Sequence, residues 1–181
     1  MAKNFDYILL LTEKVPGFKR LHDYCDMAET LQATYPEASA NSARKALEWL
    51  VKNMLKMKNA QIAERDTLND MLHKQETYAF INHDIRLDDD IRLVHKIGNS
   101  ASHDGSEPVK RVKAFRCLRA LYNVVAGFMY RWGAIKSVPA FDATIIPATI
   151  AGPVLTTTPS PQIESDVVDS VSKEKVEHPL S

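Results

Sequence analysis

The sequence predicts an all-α protein: an antiparallel bundle of five or six helices over residues 1–136, then a Pro/Ser/Thr-rich linker or disordered tail over residues 137–181. Three observations carry this prediction. Apolar residues recur at helical spacing in several long segments, most clearly 43–55, 91–101 and 112–132. Prolines fall between those segments rather than inside them. No alternating strand pattern and no internal repeat is visible.

Residues 4–14 read as a short helix, with Asn4 placed to cap it and Val15-Pro16-Gly17 to break it. The next helix runs from about Phe18 to Thr34, with Leu21, Tyr24, Cys25, Ala28 and Leu31 along one face. Tyr35-Pro36 ends it, because a residue before proline resists the helical region. A third helix spans about Glu37 to Lys58. Its stripe of Ala43, Ala46, Leu47, Leu50, Val51, Met54 and Leu55 is wide enough for the centre of a bundle. Arg44, Lys45 and Glu48 point to its other faces, and Arg44 and Glu48 are spaced to pair. Met54 and Met57 suit either core packing or an adaptable groove, and core packing is the commoner use of methionine.

Residues 66–76 make a short amphipathic helix through Leu68, Met71 and Leu72, and Thr77–Asp84 tucks Tyr78, Phe80 and Ile81 inward. A helix then begins in the acidic run Asp88–Asp90 and stops at Gly105. It buries Ile91, Val94, Ile97 and Ala101. Arg92, Lys96, Asn99 and His103 fall within roughly 60° of one another on the opposite side. The last helix opens near Pro108 and continues to about Ile135 through Val112, Phe115, Leu118, Leu121, Tyr122, Val125, Phe128, Met129 and Trp132. Beyond it the chain lacks helical period and is expected to be disordered past about Ala151, with Ile145-Ile146 able to dock on the bundle.

Composition narrows the function classes. With 181 residues, 45% of them hydrophobic, the chain can bury one real core. No apolar run approaches the roughly 20 residues that span a bilayer, and the N-terminus lacks a secretory pattern, so no membrane partner is expected. Cys25 and Cys117 stand alone, without metal or disulfide spacing, and fit a reducing cytoplasm. No cofactor motif is present. His95 and His103 lie two turns apart, about 12 Å of rise, too far for one metal ion.

The net charge is zero but unevenly spread. From Val138 onward six acids face two bases, a net of −4, leaving +4 on the rest. Between Pro108 and Lys136 stand seven bases and no acid, among them Lys113, Arg116 and Arg119. With Arg92 these are the candidate contacts to RNA or DNA phosphates; alternatively they complement the acids of 84–90 or solvate a surface.

Residues 4 to about 135 resemble a helical domain of unknown function in the HEPN superfamily, found alone or at the N-terminus of type I restriction enzyme R subunits. The resemblance rests on Phe5 and Tyr7, Ala28-Glu29 before Tyr35-Pro36, and the run Ala43-Arg44-Lys45-Ala46-Leu47-Glu48. It continues through Leu68 to Leu72, the signature Ile97-Gly98-Asn99-Ser100-Ala101-Ser102-His103, and the aromatic end Phe128-Met129-Tyr130-Arg131-Trp132. It implies a bacterial restriction or defence setting. A non-catalytic interaction module would bind nucleic acid or a partner protein. A metal-independent endoribonuclease would complete its site across a homodimer.

In such ribonucleases an arginine shortly precedes a histidine. His103 matches the histidine and Asn99 the polar residue before it, whereas Gly98 stands where the compact motif places arginine, and His95 where this family often carries one. Lys96, with six residues between it and His103, is the remaining cation on the stripe, though lysine lacks the planar fork that suits phosphate. If the chain is a ribonuclease, then, the catalytic residues are His103, Asn99 and Lys96. The structural alternative has His103 facing the helix C-terminal dipole, Asn99 bonding a neighbouring helix and Gly98 allowing close approach. The chain contains no GxxxxGK[ST] loop, so it carries no helicase motor of the R-subunit kind.

Overall fold

The computed structural model describes residues 3–102 and 107–146, and these form a helical bundle without strands among the described residues. A 3-10 turn, Asp6–Leu11, leads into α1 (Phe18–Leu31) and α2 (Pro36–Met57). Two short helices follow, α3 (Leu68–Leu72) and α4 (Gln75–Ile81), then α5 (Ile85–Ser100) and α6 (Arg111–Arg131), and a second 3-10 turn covers Ala143–Ile145. No helix among them is long and apolar enough to cross a membrane.

The hub is α2, which packs on α1, α5 and α6 and carries α3 and α4 at its C-terminal end. Pro36 at its first turn costs no hydrogen bond there. All seven residues of its predicted stripe are buried, as are Ile91, Val94 and Ile97 of α5. Ala101, at the end of that face, is half-buried. Met54 belongs to the core, but Met57, one turn further, is 62% exposed. Both cysteines are buried and free; burial pushes the Cys117 thiol up to about 12.

Several local expectations shift. The helix expected over 66–76 is two, because the Thr67 and Asp70 capping box starts α3 and Lys74 breaks to an extended conformation before α4. Phe80 and Ile81 are buried, whereas Tyr78 faces outward. Asn82 and His83 take left-handed φ of 49° and 62°, which stops α4 and lets α5 begin a turn earlier than the Asp88–Asp90 run suggested. Its cap is Asp84, whose carboxylate accepts the Leu87 N–H (3.1 Å) and also pairs with Arg131 (2.8 Å). Asp88 instead pairs with Arg92 one turn on. On α6 the buried face runs through Ala114, Cys117 and Leu118, leaving Val112 73% exposed.

The chain stays packed on the bundle past Lys136. The Tyr122 hydroxyl donates to the Ala140 carbonyl (3.3 Å), Phe141 sits against the Tyr122 ring, and Ile146 is buried. Asn4, expected as a helix cap, holds this segment: its amide donates to the Asp142 carbonyl (3.0 Å) and accepts the Asp142 N–H (2.7 Å). The expected disorder beyond Ala151 concerns residues outside those described.

The same Asn4 amide and its backbone N–H donate to Oε1 of buried Glu29, while Oε2 has no hydrogen-bond partner among the described residues. Burial raises the Glu29 carboxyl above its usual range, against the opposing Asn4 bonds. The folded state therefore holds the proton more tightly than the unfolded one. This contribution is full at acid pH and is lost as pH rises from the ordinary glutamate value, about 4.3, through the raised one. Glu29→Gln is expected to remove that component, so the melting temperature should fall less between acid and neutral pH than in wild type. An unchanged pH profile would show that Glu29 ionises as freely as in the unfolded chain.

Candidate functional site

Gly98 determines the geometry of the α2–α5 crossing. A Cβ there would lie 2.5 Å from Arg44 Cβ and 3.2 Å from the Ala40 carbonyl oxygen, so only glycine allows the two backbones this close. The close approach brings Arg44 of α2 against Asn99 of α5, and Arg44 Nε donates to Asn99 Oδ1 (2.9 Å). Because a guanidinium only donates, this bond fixes which end of the Asn99 amide is oxygen. The other end, Nδ2, faces His95 Nε2 at 2.9 Å and must donate to it. His95 is thereby a neutral imidazole with its Nε2 lone pair occupied. Burial lowers its pKa first, and the nearby Arg44 and His73 lower it further, so the ring stays uncharged.

Arg44 is the site residue that sequence reasoning missed. It was assigned to an outer face of its helix with Glu48 as partner. The Glu48 carboxylate does stand 3.9 Å from Nη1, but Nε is committed to α5. The side chain keeps about a quarter of its surface exposed, so its Nη groups can still receive an anionic oxygen. The signal that would have found it is Gly98: a glycine inside a good helical pattern marks a close neighbour, and the small residues Ala40 and Ala43 on α2 provide one.

The predicted polar stripe divides. Asn99 turns to α2, Lys96 is exposed, and Arg92 pairs with Asp88 (2.7 Å). His103 lies outside the described residues. Beside Arg92, a cleft of about 90 Å³ is lined by His73, His95, Tyr78 and Asp88; it has room for water or a small ion but is well below the roughly 300 Å³ where ligand pockets begin. No group of three His, Cys, Asp or Glu among the described residues stands close enough to hold a metal ion.

The basic segment also divides. Lys113 pairs with Glu107 (2.7 Å), and Lys110 stands 3.8 Å from the same carboxylate. Arg119 is exposed near Asp90, which accepts a hydrogen bond from Asn123 (2.9 Å). Arg116 is exposed with no ion pair among the described residues. Arg92 is not part of this face: it lies two residues from Asp90, about 200° around α5, on the side of α3 and α4. Of the acids of the 84–90 segment, Asp84 pairs with Arg131 (2.8 Å) and Asp90 lies near Arg119, while Arg116 and Arg119 remain exposed.

Compared with protein-family models, with curated proteins and with solved structures, the chain finds no match.

Proposed function

We propose that this chain is a non-catalytic, HEPN-like interaction module of a restriction or defence system, and that it binds the phosphate backbone of a nucleic acid. The observation that carries the reading is the Arg44–Asn99–His95 chain. It presents an oriented guanidinium, about a quarter exposed, whose Nη groups can take a phosphate oxygen, and Lys96, three residues before Asn99, is exposed. It also occupies the one imidazole nitrogen of His95 that could accept a proton, which supports binding over general-base chemistry. The solvent-facing Arg116 and Arg119 form a separate positive surface, on the Asp90 side of α5.

A second reading, a dimeric metal-independent endoribonuclease, draws on the same geometry. Arg44 would supply from α2 the arginine that the motif position, Gly98, lacks, with Lys96 and Asn99 on α5 and His103 as the base.

Binding is tested by titrating labelled single-stranded RNA at increasing salt. Affinity is expected to fall steeply, with the logarithmic slope reduced by about 0.7 for each phosphate contact removed. Replacing Lys113, Arg116 and Arg119 together by alanine should weaken binding and flatten that slope, and Arg44→Ala should weaken it again. Absence of any RNA or DNA shift at low salt would overturn the nucleic-acid reading.

A further inference from the structure

At the end of the bundle formed by the start of α1 and the C-terminal ends of α2 and α6 lies an open groove of about 560 Å³. Its wall is aromatic: Phe18 stacks on Trp132 (6.2 Å, 11°) and meets Trp49 edge-on (6.0 Å). Leu11, Val15 and Met57 complete the apolar lining, and Val15 and Met57 are 43% and 62% exposed. Met57 and Trp132 also line a second, more polar hollow of about 520 Å³, together with Lys58, Asn82 and Arg131. None of Arg44, Asn99 and His95 lines either hollow.

The charge around this surface is one-sided. Lys14 and Lys56 line the first hollow and Lys58 the second, and none of the three makes an ion pair among the described residues. Among the described residues no carboxylate lines either hollow, and Arg131, at the edge of the second, is matched by Asp84. In a chain whose acids and bases number 23 each, an apolar groove bordered by lysines alone is a charge complement waiting for acids.

We propose that this groove is a docking site for a short acidic segment of a partner protein, one that inserts a leucine or aromatic side chain between Met57 and the tryptophans and sets its carboxylates against Lys14, Lys56 and Lys58. The aliphatic lining favours a peptide over a nucleic-acid strand. Val15, Leu11 and flexible Met57 offer pockets for side chains, whereas a strand needs open ring faces for its bases, and Trp132 already gives one face to Phe18.

The chain has two tryptophans, and both line the groove, so their emission reports on its occupancy alone. The full chain is used to select binders from a displayed library of random short peptides, and recovered sequences lacking tryptophan are titrated by that emission. The expected result is acid-rich peptides with one apolar anchor that shift the emission to shorter wavelength. Their Kd should weaken about tenfold or more in Lys14→Glu/Lys56→Glu and also weaken in Met57→Asp. All three positions are exposed, and an unchanged melting temperature separates lost binding from lost fold. Peptides without acidic preference, or affinity indifferent to the charge reversal, would overturn the proposal. So would an emission shift produced by single-stranded homopolymer RNA instead of peptide. Self-association of wild type that Met57→Asp abolishes would overturn it too, by making a second copy the occupant.

Discussion

Val94→Asp is expected to abolish the cooperative thermal transition of the domain. Val94 is fully buried at the middle of the α5 face, between Ile91 and Ile97, where that helix packs on α2 and α6. The substitution forfeits the burial of an aliphatic side chain, roughly 1.5–3 kcal/mol. It also leaves a carboxylate at a fully buried position, a further cost of several kcal/mol. Against a total stability of about 5–15 kcal/mol for an ordinary domain, the sum is enough to unfold most of the population. Circular dichroism on heating is the measurement. A soluble variant with an unchanged melting temperature would mean that α5 presents a different face to the core.

The second large effect is at the helix crossing, and there two terms oppose each other. Gly98→Ala in the last turn of α5 gains no more than about 1 kcal/mol from helix propensity. It also puts a methyl group 2.5 Å from Arg44 Cβ and 3.2 Å from the Ala40 carbonyl, and neither is the free end of a flexible side chain. Overpacking of this kind typically costs about 1–3 kcal/mol, and more where backbone must move. The clash is therefore expected to win, lowering the melting temperature by several degrees and separating Arg44 from Asn99. Gly127→Ala is the internal comparison. Its nearest neighbours are the ends of Leu87 and Arg131, at 3.3 and 3.6 Å, which can turn aside, so propensity should prevail and stability hold or rise. A Gly98→Ala protein as stable as Gly127→Ala would contradict the close approach of α2 and α5.

Much of the bundle was legible in the sequence because its helices are amphipathic over many turns. The α2 stripe from Ala43 to Leu55 and the α5 face from Ile91 to Ile97 needed only a helical period. Boundaries were less legible where signals competed. Asp84, Asp88, Asp89 and Asp90 are all acceptable caps, and the choice of Asp84 follows from the left-handed turn at Asn82 and His83. Asn4 read as a cap because its role depends on Asp142, 138 residues away.

The candidate site was legible in half. Asn99 stood out within its own helix, but its partner Arg44 is 55 residues away and looked like a surface charge paired with Glu48. The groove was hidden for a similar reason. Trp132 falls on the same helical phase as the core residues Phe128 and Leu121, and periodicity cannot show that α6 ends there with an edge of its ring uncovered.

The most direct test of the central claim is incubation of the purified chain with labelled single-stranded RNA in EDTA, wild type beside His103→Ala, scored for both retention and cleavage. A non-catalytic nucleic-acid module should retain intact RNA equally in both proteins. Cleavage by wild type and not by His103→Ala would contradict that account and assign proton transfer to the histidine.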